Sequence, residues 1–154
     1  MKLHLRAFVF AAAVLLTTGC GGTAPKTTEP NEPTEPPPKV PGVRAAPPPA
    51  WIETRGGARW LAFASYCWSV TCVDSRPVEQ RTDVPRITVV SGEVVRFHLR
   101  FQPTELMVRL GSTTSPLKPE RVASWRVHGP SGVADLTARA EPGSAGYVAR
   151  LLIR

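Results

Sequence analysis

Two cysteines, Cys67 and Cys72 in the stretch SYCWSVTC, are the residues whose type and spacing most directly imply chemistry. Three chemistries compete for such a pair. A zinc site takes four convergent ligands, and beyond the first twenty residues the only histidines are His98 and His128, each alone in a strand-like stretch. Thiol exchange normally uses Cys-x2-Cys at a helix N-terminus, whose dipole lowers a thiol pKa; Cys-x4-Cys between strands has neither feature. In a hairpin closing on residues 68–71, by contrast, Cys67 and Cys72 stand directly opposite, where Cα atoms lie about 4.5 Å apart and within disulfide reach. The pair therefore reads as a staple, contributing about 2 kcal/mol for so short a loop. Trp68 beside it has two readings: a core aromatic packed on the S–S bond, or a recognition residue at a loop tip with Tyr66.

Other chemistry-bearing residues are basic. Within 51–154, thirteen Arg and one Lys stand against nine Asp and Glu, a net of +5 of the whole chain's +7. Arg96, His98 and Arg100 alternate along one stretch and share a strand face, and a hairpin turn over residues 102–105 would bring Arg109 onto the same face. Such a stripe suits an anionic wall polymer, a lipid headgroup or an acidic protein partner; its bland counterpart is a solvated sheet surface. Nucleic acid is not expected, for want of interleaved exposed aromatics. The carboxylates are scattered without the close pairing that splits two pKa values, and Ser131 lacks a Gly-x-Ser-x-Gly context. No catalytic residue, metal or cofactor is expected.

The elements that position these residues are strands. Turn signals at 56–57, 76–77, 91–92, 102–103, 116–119, 129–132 and 142–143 leave segments too short for most helices. Between them the apolar period is two: Val95, Phe97, Leu99 and Phe101 face one way, as do Leu106, Val108 and Leu110, then Trp125 with Val127, and Tyr147, Ala149, Leu151 and Ile153. Leu61 and Phe63 repeat the pattern ahead of the cysteines. About seven strands in 104 residues predict an all-β fold, a single antiparallel β-sandwich of immunoglobulin-like architecture over 51–154. One exception is expected at 134–140, ADLTARA, whose helix formers suit a short helix.

The N-terminus supplies the compartment. Lys2 and Arg6 precede an apolar run from Ala7 to Leu16, about half of what a spanning helix needs, so 1–19 reads as an export signal. The following LTTGC resembles the lipobox of bacterial lipoproteins, with Thr17 where Leu is usual, and implies lipidation at Cys20 and an anchor on the extracytoplasmic face of the cell membrane. Residues 20–50 read as a disordered, lipid-anchored linker, since ten of residues 21–50 are proline. Fully extended, such a spacer reaches on the order of 90 Å.

SYCW, then Cys72-Val73-Asp74 and the strand SGEVVRF at 91–97, resembles a group of uncharacterised lipoproteins of Gram-positive bacteria over roughly 59–101. The loop between the cysteines is shorter here than in that group. The resemblance implies a disulfide-stapled extracytoplasmic β-domain and carries no activity with it. The expected function is a non-catalytic binding or accessory module at the cell envelope; the competing expectation is an envelope-structural or partner-stabilising lipoprotein with no small ligand.

Overall fold

Alternating side chains between closely spaced Gly and Pro turns can bury one face of a sheet only against a second sheet. The computed structural model, which describes residues 31–40 and 45–154, has that form. Eleven strands follow one another: β1 (Ala50–Thr54), β2 (Gly57–Trp60), β3 (Ala62–Trp68), β4 (Thr71–Val73), β5 (Arg86–Val89), β6 (Val94–Leu99), β7 (Glu105–Leu110), β8 (Thr113–Pro116), β9 (Val122–Arg126), β10 (Gly132–Ala140) and β11 (Gly143–Ile153). One sheet has the order β2-β1-β6-β9. The other runs β4-β3-β11-β10-β7-β8, with β5 joined parallel to the second half of β11.

The predicted inward sets meet between the sheets. Ile52, Val95, Phe97, Leu99 and Trp125 of the four-stranded sheet pack on Leu106, Val108, Leu110, Leu136, Tyr147, Ala149 and Leu151 of the larger one. Strand count exceeds the expected seven partly because residues 57–68 bend at Leu61. There the chain leaves the smaller sheet, where β2 pairs β1, and enters the larger, where β3 pairs β11.

The helix expected at 134–140 is instead β10, the central strand between β11 and β7. Its Ala134, Leu136 and Ala138 point inward with period two, and pairing on both edges outweighs the helix preference of Ala, Leu and Arg. The hairpin expected between Arg100 and Arg109 also does not form: the chain crosses there from β6 in one sheet to β7 in the other.

A bulge decides which way the cysteines face. Ala145 pairs Tyr66 and Tyr147 pairs Phe63, so β3 fits one extra residue opposite Gly146. An uninterrupted period would carry Phe63, Ser65 and Cys67 inward; the extra residue turns Tyr66 and Trp68 inward and Cys67 outward. Gly143 opens β11 at φ +146°, where an added Cβ would lie 2.0 Å from the Cys67 carbonyl oxygen.

The sandwich also carries residues from within the expected linker. β1 begins at Ala50, Val40 and Ala46 pack against the core, and the buried Tyr147 hydroxyl donates to the Pro48 carbonyl at 2.7 Å. Residues 1–30 and 41–44, which include the expected signal and Cys20, lie outside the described residues.

Candidate functional site

Cys67 and Cys72 pair directly across β3 and β4 and form a disulfide, with Cα atoms 4.0 Å apart. Ser69 takes φ +54° at the two-residue turn and donates its backbone N–H to Pro142. The bond lies on the outer surface of the larger sheet. Trp68, on the inner surface, packs edge-on against Phe101 at 4.9 Å rather than on the sulfurs, so its core reading holds with a different partner.

The basic residues are divided between the sheets. Arg109 projects from the larger one, where its Nη2 donates to Asp135 on β10 at 2.9 Å, and it does not extend the stripe of β6. Arg96, His98 and Arg100 do share the outer face of the smaller sheet, but they are partnered. Glu53 on β1, opposite Arg96, accepts from Arg96 at 3.5 Å and from His98 Nε2 at 2.9 Å. An ionised carboxylate only accepts, so the hydrogen sits on that ring nitrogen. Arg100 donates to Glu32.

Register builds this face. A β1–β2 hairpin turning at Arg55 and Gly56 sets Trp60 beside Trp51, and β6 sets His98 on Trp51's other side. One row therefore reads Trp60, Trp51, His98. Indole 51 stacks on the imidazole at 4.7 Å and 8°, and meets Trp60 edge-on at 5.4 Å. The Arg100 guanidinium lies over both indoles, 5.4 Å from Trp60 and 6.0 Å from Trp51, in cation–π geometry.

Residues 31–35 cover this row. Besides the Glu32–Arg100 ion pair, Asn31 Nδ2 donates to Glu53 at 3.1 Å and Trp60 Nε1 donates to the Glu35 carbonyl at 2.8 Å. Between those anchors Pro33 is buried. Trp51, wholly buried on the outer side of its sheet, keeps an indole N–H without a partner among the described residues. Chemically the face is a cationic aromatic groove that takes a carboxylate and a backbone carbonyl.

No family model, curated protein or solved structure matches this chain. Its site is therefore read from its own geometry. Trp51, Trp60, Glu53 and Glu32 were not among the expected site residues. The signal for the first three lay beside the turn signal at 56–57, but only a turn one residue earlier, at Arg55 and Gly56, sets position 51 opposite 60. For Glu32 it lay in the triplet Glu-Pro-x, which occurs at 29–31, 32–34 and 35–37.

A second concavity of about 350 Å³ on the larger sheet's outer surface is lined by Ser65, Ser75, Thr137, Ser144 and Asp135. Ser65 there donates to Asp74 at 2.6 Å, pairing a hydroxyl with a carboxylate. Both described histidines lie elsewhere, His98 on β6 and His128 after β9.

Proposed function

We propose that the protein is a membrane-anchored extracytoplasmic lipoprotein that serves as a non-catalytic binding or accessory module at the cell envelope. The observation that carries this reading is the Trp60–Trp51–His98 row with Arg100 above it, a groove already engaged with a peptide segment. Export and the anchor rest on the signal-like 1–19 and the LTTGC sequence ending at Cys20. A disulfide on the outer surface is in keeping with an oxidising compartment.

Docking of residues 31–35 changes the geometry of anchoring. Only ten residues, 21–30, separate Cys20 from Asn31, and those eleven steps at about 3.1 Å each would hold the domain within roughly 35 Å of the bilayer. Because Glu53 and Glu32 already neutralise much of the basic stripe, an acidic protein partner fits the groove better than a phosphate-rich wall polymer or a lipid headgroup, which would engage the arginines alone.

The test is the native intact mass of protein extracted gently from its own membranes, coupled to pull-down at two ionic strengths. A start at Cys20 with a diacylglycerol-sized adduct, and a partner lost on Arg100→Ala, is the expected result. An unlipidated chain would remove the anchor, and a stoichiometric partner indifferent to Arg96→Ala and Arg100→Ala would favour the partner-stabilising alternative.

A further inference from the structure

Residues 31–35 sit on the outer face of the β2-β1-β6-β9 sheet as a ligand would. Three hydrogen bonds hold them, from Arg100 to the Glu32 carboxylate, from Trp60 Nε1 to the Glu35 carbonyl and from Asn31 Nδ2 to Glu53, and Pro33 among these anchors is buried. Aromatic-lined grooves are the usual docking sites of proline-bearing segments. None of these contacts depends on covalent continuity with the domain. The segment contributes no strand to either sheet, and the sheets close their hydrophobic core without it.

Two further features match the groove to more than its present occupant. The wholly buried Trp51 has an indole N–H with no partner among the described residues, a donor that a peptide seated in another register can satisfy. The proline-rich region also offers the same Glu-Pro unit three times in tandem, at 29, 32 and 35.

We propose that this groove recognises acidic, proline-bearing peptide segments of a partner protein, and that residues 31–35 are its resident occupant in cis, displaced when such a segment binds. This rests on the reading of the domain as a binding module and names the ligand class of that module. A segment tethered close by competes at an effective concentration on the millimolar scale, so a partner's apparent affinity is reduced by the fraction of molecules in which the groove stands open. Arg100 selects the carboxylate, Trp60 selects an accessible carbonyl, and the buried position held by Pro33 selects a compact ring.

The experiment titrates a synthetic peptide of residues 31–39, NEPTEPPPK, into the full chain by calorimetry, with circular dichroism confirming the sandwich in each variant. Glu32→Lys/Pro33→Gly in the chain removes the cis occupant, and the peptide is expected to bind this variant about tenfold or more tighter than the unaltered chain. Adding Trp60→Phe to it removes the N–H donor while keeping a ring, and should return the affinity to the unaltered level. A peptide carrying Glu32→Lys should bind the opened chain about tenfold more weakly, yet regain affinity for a chain carrying Arg100→Glu. That charge exchange keeps the test decisive if the double variant does not fold. No binding to an opened, folded chain, equal binding of the charge-reversed peptide, or tighter binding of polyphosphate than of the peptide would each overturn the proposal. A lipid-free native chain whose opened variant binds the peptide would sink the membrane reading alone, and a lipidated chain whose opened, folded variant is indifferent to the peptide would sink this one alone.

Discussion

Arg100 Nη2 donates a hydrogen bond to the carboxylate of Glu32, a residue 68 positions earlier in the chain. The two side chains join the proline-rich region to the end of β6 and make residues 31–35 part of the domain's surface. Arg100 also bridges two indoles, so the ion pair is oriented by packing and not only by charge.

Removing that anchor should release the segment without unfolding the sandwich. Glu32→Ala is expected to speed proteolytic cleavage within residues 31–40 several-fold and to shift global stability by less than about 1 kcal/mol, since the carboxylate is the segment's and the freed guanidinium stays partly solvated. A loss of several kcal/mol in chemical denaturation would show that the segment is integral to the core.

Glu93 predicts how the domain responds to acid. Burial raises its carboxyl pKa, but the backbone N–H groups of Arg55 at 2.7 Å and Val90 at 2.9 Å outweigh that and hold it below the ordinary carboxylate value. A pKa lowered by folding contributes stability that is present above the unfolded value, near 4.5, and is lost as pH falls through the folded value. Glu93→Gln should cost about 1–3 kcal/mol at neutral pH, because its amide can accept from only one of the two donors. Urea midpoints against pH should show the deficit shrinking below about pH 4.5. A pH-independent deficit would contradict the account.

The disulfide is on the surface, so reduction should precede unfolding. Mild reductant is expected to add two daltons to the native protein while far-ultraviolet circular dichroism is unchanged. Cys67→Ser/Cys72→Ser should lower stability by about 2 kcal/mol. Resistance to reduction until the fold melts would place the bond in the interior.

Gly143 and Gly56 separate backbone constraint from mere turn position. At Gly143 an alanine Cβ would collide with the Cys67 carbonyl at 2.0 Å, so Gly143→Ala should cost more than about 2 kcal/mol and disturb the β3–β11 pairing. At Gly56 the nearest atom, Thr54 Oγ1, is 3.5 Å away, and Gly56→Ala should stay within about 0.5 kcal/mol. Thermal melts of the two variants check the ordering.

Much of this fold could be read from the chain because a period of two has one buried solution. Val95, Phe97 and Leu99, like Leu106, Val108 and Leu110, face inward as their alternation requires. Residues 134–140 misled because their propensity is helical, and propensity gives way to pairing in a central strand. The side on which Cys67 falls depended on one extra residue opposite Gly146, which no local pattern announces. The site was half visible. Arg96, His98 and Arg100 stood out by spacing, whereas the indoles beside them gather only once two strands have paired, and Glu32 arrives from a stretch whose proline content suggested nothing to bury.

The most direct test of the central claim, that the Trp60–Trp51–His98 row with Arg100 is a groove holding residues 31–35, is the indole N–H of Trp60 in the nuclear magnetic resonance spectrum of the full chain. Slow solvent exchange and cross-relaxation from Trp60 to residues 33–35, both lost in Glu32→Lys/Pro33→Gly, are the results expected from the 2.8 Å bond to the Glu35 carbonyl. Fast exchange with no contact to that segment would mean that the groove is empty in solution, and the account of its ligand would fail with it.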